Sequence, residues 1–307
     1  MKHQFATLLI AASAAIISAT ASFDAKPQSE ATALSTLSAL PLASVIISGA
    51  AAYARRSCDA PPQLPKLQTL QHSLNLAERT LGALDVSGQS VVVLARAGQD
   101  LGKYGLQYSH LGFAYKQPQR AADGQPGHVW RVVHKLNQCG TADAYVYRQG
   151  LGEFFLDDLW RFEAAWVVPV PEVQDRLLAA LTRAGPASRA LAMNSKPYSI
   201  VSYAWGGKYQ QSNQWAIETL AAALEPQITN RAQAQAWLRF KGYEPTALKL
   251  GPLTRLGGRA TVANVAFDDH PNDKRFSDRI ETVTVDSVFQ WMQRSGLGGA
   301  PSVLLLL

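Results

Sequence analysis

A histidine and a serine, far apart in this 307-residue chain, are the residues whose types and surroundings could do chemistry. His110 lies in the apolar segment 109–115 (SHLGFAY), which predicts a β-strand. Ser212 opens the sequence SNQW at the predicted start of a helix. A base held on a strand beside a hydroxyl at a helix N-terminus is a minimal arrangement for nucleophilic acyl transfer, because the base accepts the hydroxyl proton and backbone N–H groups stabilise the oxyanion. The sequence predicts Ser212 as the nucleophile and His110 as its base.

A third member of such a site would orient the His110 ring through its other nitrogen. His134 lies two residues after Val132 and four after Trp130 in a predicted strand, so the three side chains point to one sheet face. His134 is therefore predicted as this third residue. His128 competes for the same role. Two interpretations without chemistry stay open, because Ser212 is also a favoured helix N-cap and His110 can be an ordinary hydrogen-bonded strand histidine.

Acidic residues near a second histidine offer possible metal ligands. Asp268, Asp269, His270 and Asp273 carry carboxylate and imidazole donors that suit a divalent metal. The adjacent Pro-Asn sequence favours a turn, in which Asp side chains commonly cap backbone groups. We therefore expect no metal and no cofactor.

The N-terminal segment predicts export. Residues 1–21 combine Lys2, an apolar run over 6–17 and the small-x-small sequence Ala-Thr-Ala at 19–21, which is typical of a bacterial signal peptide. A second apolar stretch, 31–54, precedes two arginines and could move processing as late as residue 54 or form a weak membrane segment. We expect a periplasmic or otherwise exported protein and leave membrane association open.

The remaining chain predicts one domain. No Gly/Ser-rich or Pro-rich linker divides residues 57–294, and the tail 295–307 is too short to span a bilayer. The formal net charge of +6 is spread along the chain, which argues against nucleic acid and favours at most weak attraction to anionic surfaces. The expected partner is a cell-envelope component, whether peptidoglycan, peptide or lipid.

Two cysteines, Cys58 and Cys139, lie in the part expected to be exported. In an oxidising compartment an even pair in loop-like surroundings is expected to form a disulfide. With two cysteines and no CxxC spacing, a structural zinc site is not expected.

Hydrophobic periodicity predicts a mixed α+β domain. Helices are predicted over residues 67–84, 154–162, 171–184, 212–224 and 230–242 and around residue 291, and strands over 91–94, 110–115, 129–136, 164–168, 198–205, 261–267 and 281–285. Residues 117–127, rich in Pro, Gly and charge, predict a long hairpin loop.

Several separated motifs resemble a bacterial family known as domain of unknown function 2145. They are residues 109–115 (SHLGFAY), 137–140 (NQCG), 149–151 (QGL), 212–215 (SNQW) and 268–271 (DDHP). The resemblance covers about residues 57–294, and the family name carries no assigned activity.

More remotely, the order of histidine strand, polar strand residue and nucleophile helix resembles the circularly permuted papain-like group, which includes NlpC-type cell-wall hydrolases and lecithin retinol acyltransferase relatives. That resemblance implies an antiparallel sheet with helices packed on it, with Ser212 in the cysteine position, His110 as base and His134 as orienting residue. The serine departs from the group's thiol and needs stronger activation. Two function classes follow: a hydrolase or acyltransferase acting on envelope amides or esters, and a catalytically inactive envelope binding or scaffold protein.

Overall fold

The protein is built on a six-stranded antiparallel sheet. The computed structural model describes residues 66–120, 124–138, 140–183 and 188–306. The predicted signal peptide, the second apolar stretch, Cys58 and Cys139 lie outside these residues, so the processing and the disulfide stay predictions.

The strands are β1 (Val91–Ala97), β2 (His110–Arg120), β3 (Pro126–Asn137), β4 (Ala144–Gly150), β5 (Arg161–Val167), β6 (Thr246–Lys249), β7 (Arg279–Thr282) and β8 (Ser302–Leu305). The strands of the large sheet follow the order β4-β3-β2-β1-β5-β8, and every neighbouring pair is antiparallel. β6 and β7 form a separate two-stranded ribbon. The helices are α1 (Leu67–Val86), α2 (Leu151–Phe155), α3 (Pro171–Thr182), α4 (Arg189–Ala192), α5 (Ser212–Leu224), α6 (Arg231–Phe240), α7 (Pro252–Thr261), α8 (Asn272–Arg275) and α9 (Val285–Arg294).

Strand alternation divides the interior into two cores, one on each face of the sheet. On β2, Phe113 and Tyr115 join the core that contains Trp215 of α5, together with residues of α3, α6 and α9. Ala114 points the other way and packs with Phe154 of α2 and with residues of α1. We call these two sides the α5 face and the α1/α2 face.

The predicted mixed α+β class is confirmed, and most predicted helices and strands of the sheet are present. The hairpin loop predicted over 117–127 is shorter, because β2 continues to Arg120 and β3 begins at Pro126. The tail also contributes to the fold, since β8 pairs with β5 with Leu305 opposite Glu163.

Two strand predictions are wrong. Residues 198–205 form turns, because their backbone groups bond to scattered partners: the N–H of Ile200 donates to Asn264 and that of Ala204 to Glu281. Residues 261–267 are the end of α7 and a loop rather than a strand, and the sequence did not predict α7. Within the described ranges, no helix has both the length and the apolar character needed to cross a membrane.

Candidate functional site

The structure brings His110 and His134 together on the α1/α2 face. His110 Nε2 lies 2.9 Å from His134 Nδ1. The second nitrogen of His134, Nε2, lies 2.6 Å from Oε1 of Gln149 on β4. Both rings pack against Phe154, with ring centroids 5.9 Å away for His110 and 5.2 Å for His134. A hydrogen-bonded chain of three side chains therefore crosses β2, β3 and β4.

The partners in this chain assign the position of each proton. An amide oxygen only accepts, so His134 donates from Nε2 and its Nδ1 carries the lone pair. His110 must then donate from Nε2 to His134, which leaves the lone pair of His110 on Nδ1. No described residue hydrogen-bonds His110 Nδ1. The chain thus fixes one imidazole nitrogen as a potential base.

Both imidazoles are held in the neutral form. Burial, together with the positive charge of Arg96, lowers the pKa of His110 well below its usual value and the pKa of His134 to about 4. Arg96 lies opposite His110 in the β1–β2 register, and its guanidinium lies over the Phe154 ring at 4.7 Å. Arg96 is itself ion-paired with Asp157.

Gly112 makes this close packing possible. A Cβ atom at this position would lie 2.7 Å from Cγ1 of Val132, 3.2 Å from Cβ of His134 and 3.3 Å from the Phe154 ring. The glycine of the SHLGFAY motif is therefore required by space, because any side chain would push β3 or α2 away from the histidine pair.

Ser212 begins α5, the helix that packs on the α5 face, and it is bonded to the backbone of β3. It is the first residue of α5, and its Oγ donates to the backbone carbonyl of Lys135 at 2.7 Å. Ser212 is 5% exposed, and among the described residues no hydrogen bond joins it to His110 or His134. The N-cap interpretation of Ser212 is wrong, because the helix is capped by Gln211, whose side chain accepts from the Asn213 N–H at 2.9 Å.

Asn213, not Ser212, contacts the strand that carries His110. Its Oδ1 accepts from the Leu111 N–H at 2.9 Å, and its Nδ2 donates to the Ser109 carbonyl at 3.3 Å. The β2–β3 pairing begins at Phe113, so the start of α5 supplies partners where the two strands have separated. Sequence analysis missed this role, although an amide next to the serine in SNQW was a visible signal.

A buried polar network extends from the start of α5. Lys135 is fully buried, and its Nζ donates to Gln210 Oε1 at 2.7 Å and to the Ser195 carbonyl. Gln210 in turn donates to Glu218, whose carboxylate is fully buried and lies 2.8 Å from Nε of Arg231. Burial, together with the nearby guanidinium of Arg231, lowers the pKa of Lys135 to about 7, although the charge of Glu218 opposes the shift. Sequence analysis missed this network, since its members are spread over the chain without a motif.

The competing histidine lies elsewhere. His128 Nε2 lies 2.7 Å from Oδ1 of Asp85, which also accepts from the Trp130 indole at 2.7 Å. His128 is therefore bonded to Asp85 near the start of β3 and has no hydrogen bond to His110 among the described residues.

The acidic cluster near His270 is occupied by local contacts. Asp269 accepts from the Tyr203 N–H at 2.8 Å, and its other oxygen lies 2.9 Å from His270 Nδ1. Asp268 pairs with Lys208. In the part of the chain that the structure describes, no three or more His, Cys, Asp or Glu side chains are grouped so that they could hold a metal ion.

One comparison with known proteins gives a match. The family described as "Uncharacterized protein conserved in bacteria (DUF2145)" matches residues 83–292, which is more than half of the chain. The matched segment includes His110, His134 and Ser212 and ends before β8. Neither the curated proteins nor the solved structures include a significant match.

Proposed function

The chain belongs to this bacterial family, and we propose that it is a catalytically inactive protein of the cell envelope that binds an envelope component on a permuted papain-like frame. One observation carries the proposal: the hydroxyl proton of Ser212 is donated to the Lys135 carbonyl, and no hydrogen bond among the described residues joins Ser212 to His110 or His134. Acyl transfer needs the nucleophile within hydrogen-bond reach of its base, directly or through one water. Among the described residues, Ser212 makes no direct hydrogen bond to His110, and its own proton is donated elsewhere.

The histidine pair fits a structural role in this proposal. His134 has both ring nitrogens engaged, and His110 and His134 stay neutral because burial lowers their pKa values. Buried polar groups that are hydrogen-bonded to each other hold neighbouring elements in one arrangement. Here they join β2, β3 and β4 beneath Phe154 of α2.

The cellular location in the proposal rests on the sequence. The predicted signal peptide over residues 1–21 supports export, and the net charge of +6 favours anionic envelope material over a basic partner. The expected binding partners are peptidoglycan, a peptide or a lipid of the envelope.

A labelling experiment tests the inactive state. The folded full chain is treated with a fluorophosphonate, which reacts with activated serines, and we expect no labelling of Ser212. The Ser212→Cys variant, treated with iodoacetamide, is expected to react no faster than the same variant carrying His110→Ala. Labelling of the native protein that both Ser212→Ala and His110→Ala abolish would overturn the proposal.

A binding experiment tests the envelope partner. The full chain is sedimented with purified peptidoglycan sacculi and, separately, with phospholipid vesicles. We expect retention on at least one of them, and the same retention for Ser212→Ala and His110→Ala. If the native protein stays in solution with both materials, the proposed binding function is wrong.

A second candidate function is the hydrolase or acyltransferase, which one observation favours. The Gln149–His134–His110 chain leaves the lone pair of His110 on Nδ1, as in an oriented general base. In this candidate the Ser212 oxygen attacks the carbonyl carbon of an amide or ester while its proton passes to His110. The leaving amine or alcohol then takes that proton, and water releases the acyl group from the serine. Ser212 would first have to leave the Lys135 carbonyl, so the labelling experiment separates the two candidates.

A further inference from the structure

Helix α7 has an inverted distribution of polar and apolar side chains. Leu253 and Leu256, one turn apart, are 83% and 66% exposed, whereas Arg255 between them is 8% exposed. A surface helix of a globular protein normally buries its apolar stripe and exposes its charges. In α7 the leucines therefore face away from the protein.

The buried arginine holds the helix in this orientation. The Arg255 guanidinium donates to the carbonyls of Lys274 and Ser277 and lies over the Phe267 ring at 4.6 Å. These contacts join α7 to the turn that carries Phe276, which is 78% exposed. Two segments linked by one guanidinium thus both present large apolar side chains to the surroundings.

The stretch of chain that carries the exposed leucines is basic. Residues 245–267, which include β6 and α7, contain Lys249, Arg255 and Arg259 and no acidic residue. An open groove of about 490 Å³ lies beside the first turn of α7 and is lined by Lys103, Lys249 and Thr254. Lys249 is 77% exposed and lies 3.7 Å from the half-exposed Asp278, and Lys103 is exposed. The surface combines the exposed leucines of α7 with two exposed lysines in the groove beside its first turn.

We propose that α7 and the adjoining lysine groove dock on the surface of an anionic phospholipid membrane. Leu253 and Leu256 would enter the boundary between headgroups and acyl chains, and Lys103 and Lys249 would bind headgroup phosphates. Peripheral helices bind membranes by this combination of buried apolar side chains and electrostatic attraction to anionic lipids. A second copy of the chain fits this surface less well, because it would bring the same positive charges together. The inference rests on the proposed envelope-binding function and names its lipid partner.

The test is sedimentation of the full chain with vesicles of phosphatidylglycerol and phosphatidylcholine, and with phosphatidylcholine alone. We expect binding to the anionic vesicles. The double variant Leu253→Ser/Leu256→Ser should lose at least about tenfold in affinity, because burying one leucine contributes more than the free energy of a tenfold change. Lys103→Glu and Lys249→Glu should each lose about fivefold on anionic vesicles only.

The matched control is Leu191→Ser/Phe240→Ser, which removes apolar residues that are 52% and 82% exposed elsewhere on the surface. This control should bind as the native protein does. Equal binding by the α7 variant and the control would overturn the inference while leaving the proposed function intact. Retention on peptidoglycan sacculi without binding to any vesicle would do the same, whereas failure on both materials would overturn the proposed function itself. A native dimer that Leu253→Ser/Leu256→Ser converts to a monomer in light scattering would assign the surface to a second copy and also overturn the inference.

Discussion

The two faces of the sheet bury polar groups in different ways, and consecutive residues of β3 illustrate the difference. His134 points to the α1/α2 face, where neutral rings and an amide satisfy one another. Lys135 points to the α5 face, where an amine, an amide, a carboxylate and a guanidinium form a charged network. Strand alternation therefore places these two neighbouring polar side chains on opposite sides of the sheet.

This difference supports the proposal that Ser212 and His110 do not act together. The order of these residues along the chain resembles that of the permuted papain-like group, but chain order does not specify the face on which a side chain lies. Among the described residues, His110 Nδ1 accepts no hydrogen bond, and the Ser212 hydroxyl donates to the Lys135 carbonyl.

The largest expected effect comes from the charged network of the α5 face. Glu218→Gln removes the charge of a fully buried carboxylate and leaves the Arg231 guanidinium, whose side chain is 12% exposed, without its ion-pair partner. We expect the free energy of unfolding to fall by about 3 kcal/mol, at the low end for a broken buried pair because Arg231 keeps its bonds to backbone carbonyls. Urea denaturation measures it.

The matched control is Glu172→Gln, which breaks an exposed ion pair with Arg176 on α3 and should change stability by less than about 0.5 kcal/mol. Equal changes in the free energy of unfolding for the two variants would show that the stability of the α5 face does not depend on the buried charge of Glu218.

The histidine pair of the α1/α2 face should instead make the stability of the protein depend on acid pH. Burial lowers the pKa of His134 from 6.5 to about 4. Between these two pH values His134 is therefore protonated in the unfolded chain but neutral in the folded chain. Stability should therefore fall as the pH drops from 6.5 towards 4, by up to about 1.4 kcal/mol per pH unit for this histidine. His134→Gln should make the loss less steep.

The control for this prediction is Leu94→Ala, a change in the same apolar core that adds or removes no titrating group. Its stability should be lower at every pH, with the native dependence on acid. An unchanged acid dependence in His134→Gln would mean that the imidazole accepts a proton in the folded state as easily as in the unfolded state.

A smaller effect is expected from the glycine beneath the histidine pair. Gly112→Ala places a Cβ 2.7 Å from Val132 and 3.2 Å from His134, so β3 or α2 must shift. We expect a loss of about 1–3 kcal/mol, as for other overpacked interiors. Gly207→Ala, where an added Cβ has no atom within 4 Å, should be nearly neutral, and similar denaturation midpoints for both variants would contradict the tight packing.

Sequence patterns predicted the regular elements but not their relative placement. The leucine spacing of α1 and the proline and glycine that flank α3 are local signals, and both helices are present. His110 and His134 could be assigned to strands because apolar residues alternate around them. The face of Ser212 depended on how α5 packs on the sheet, and no local signal contains that information.

The elements that the sequence did not predict correctly also depend on tertiary contacts and not on local signals. Residues 198–205 have strand-forming aromatic residues, but their backbone bonds to a loop and to β7, both distant in sequence, so tertiary contacts override the propensity. Helix α7 escaped detection because its leucines face outward and its arginine faces inward, which inverts the pattern used to find surface helices.

The smallest change in stability is expected for Ser212→Ala, and this variant tests most directly whether Ser212 and His110 act separately. Ser212→Ala removes one buried donor to the Lys135 carbonyl and should cost about 1 kcal/mol. In a double-mutant cycle with His110→Ala, the two losses should add to within about 0.5 kcal/mol, because independent sites do not couple. The His110→Ala and His134→Ala pair, whose rings are hydrogen-bonded, serves as the positive control and should show clear coupling. Coupling between Ser212 and His110 as large as in that control would place the hydroxyl and the base in one site, and the catalytic candidate would then be the better account of this protein.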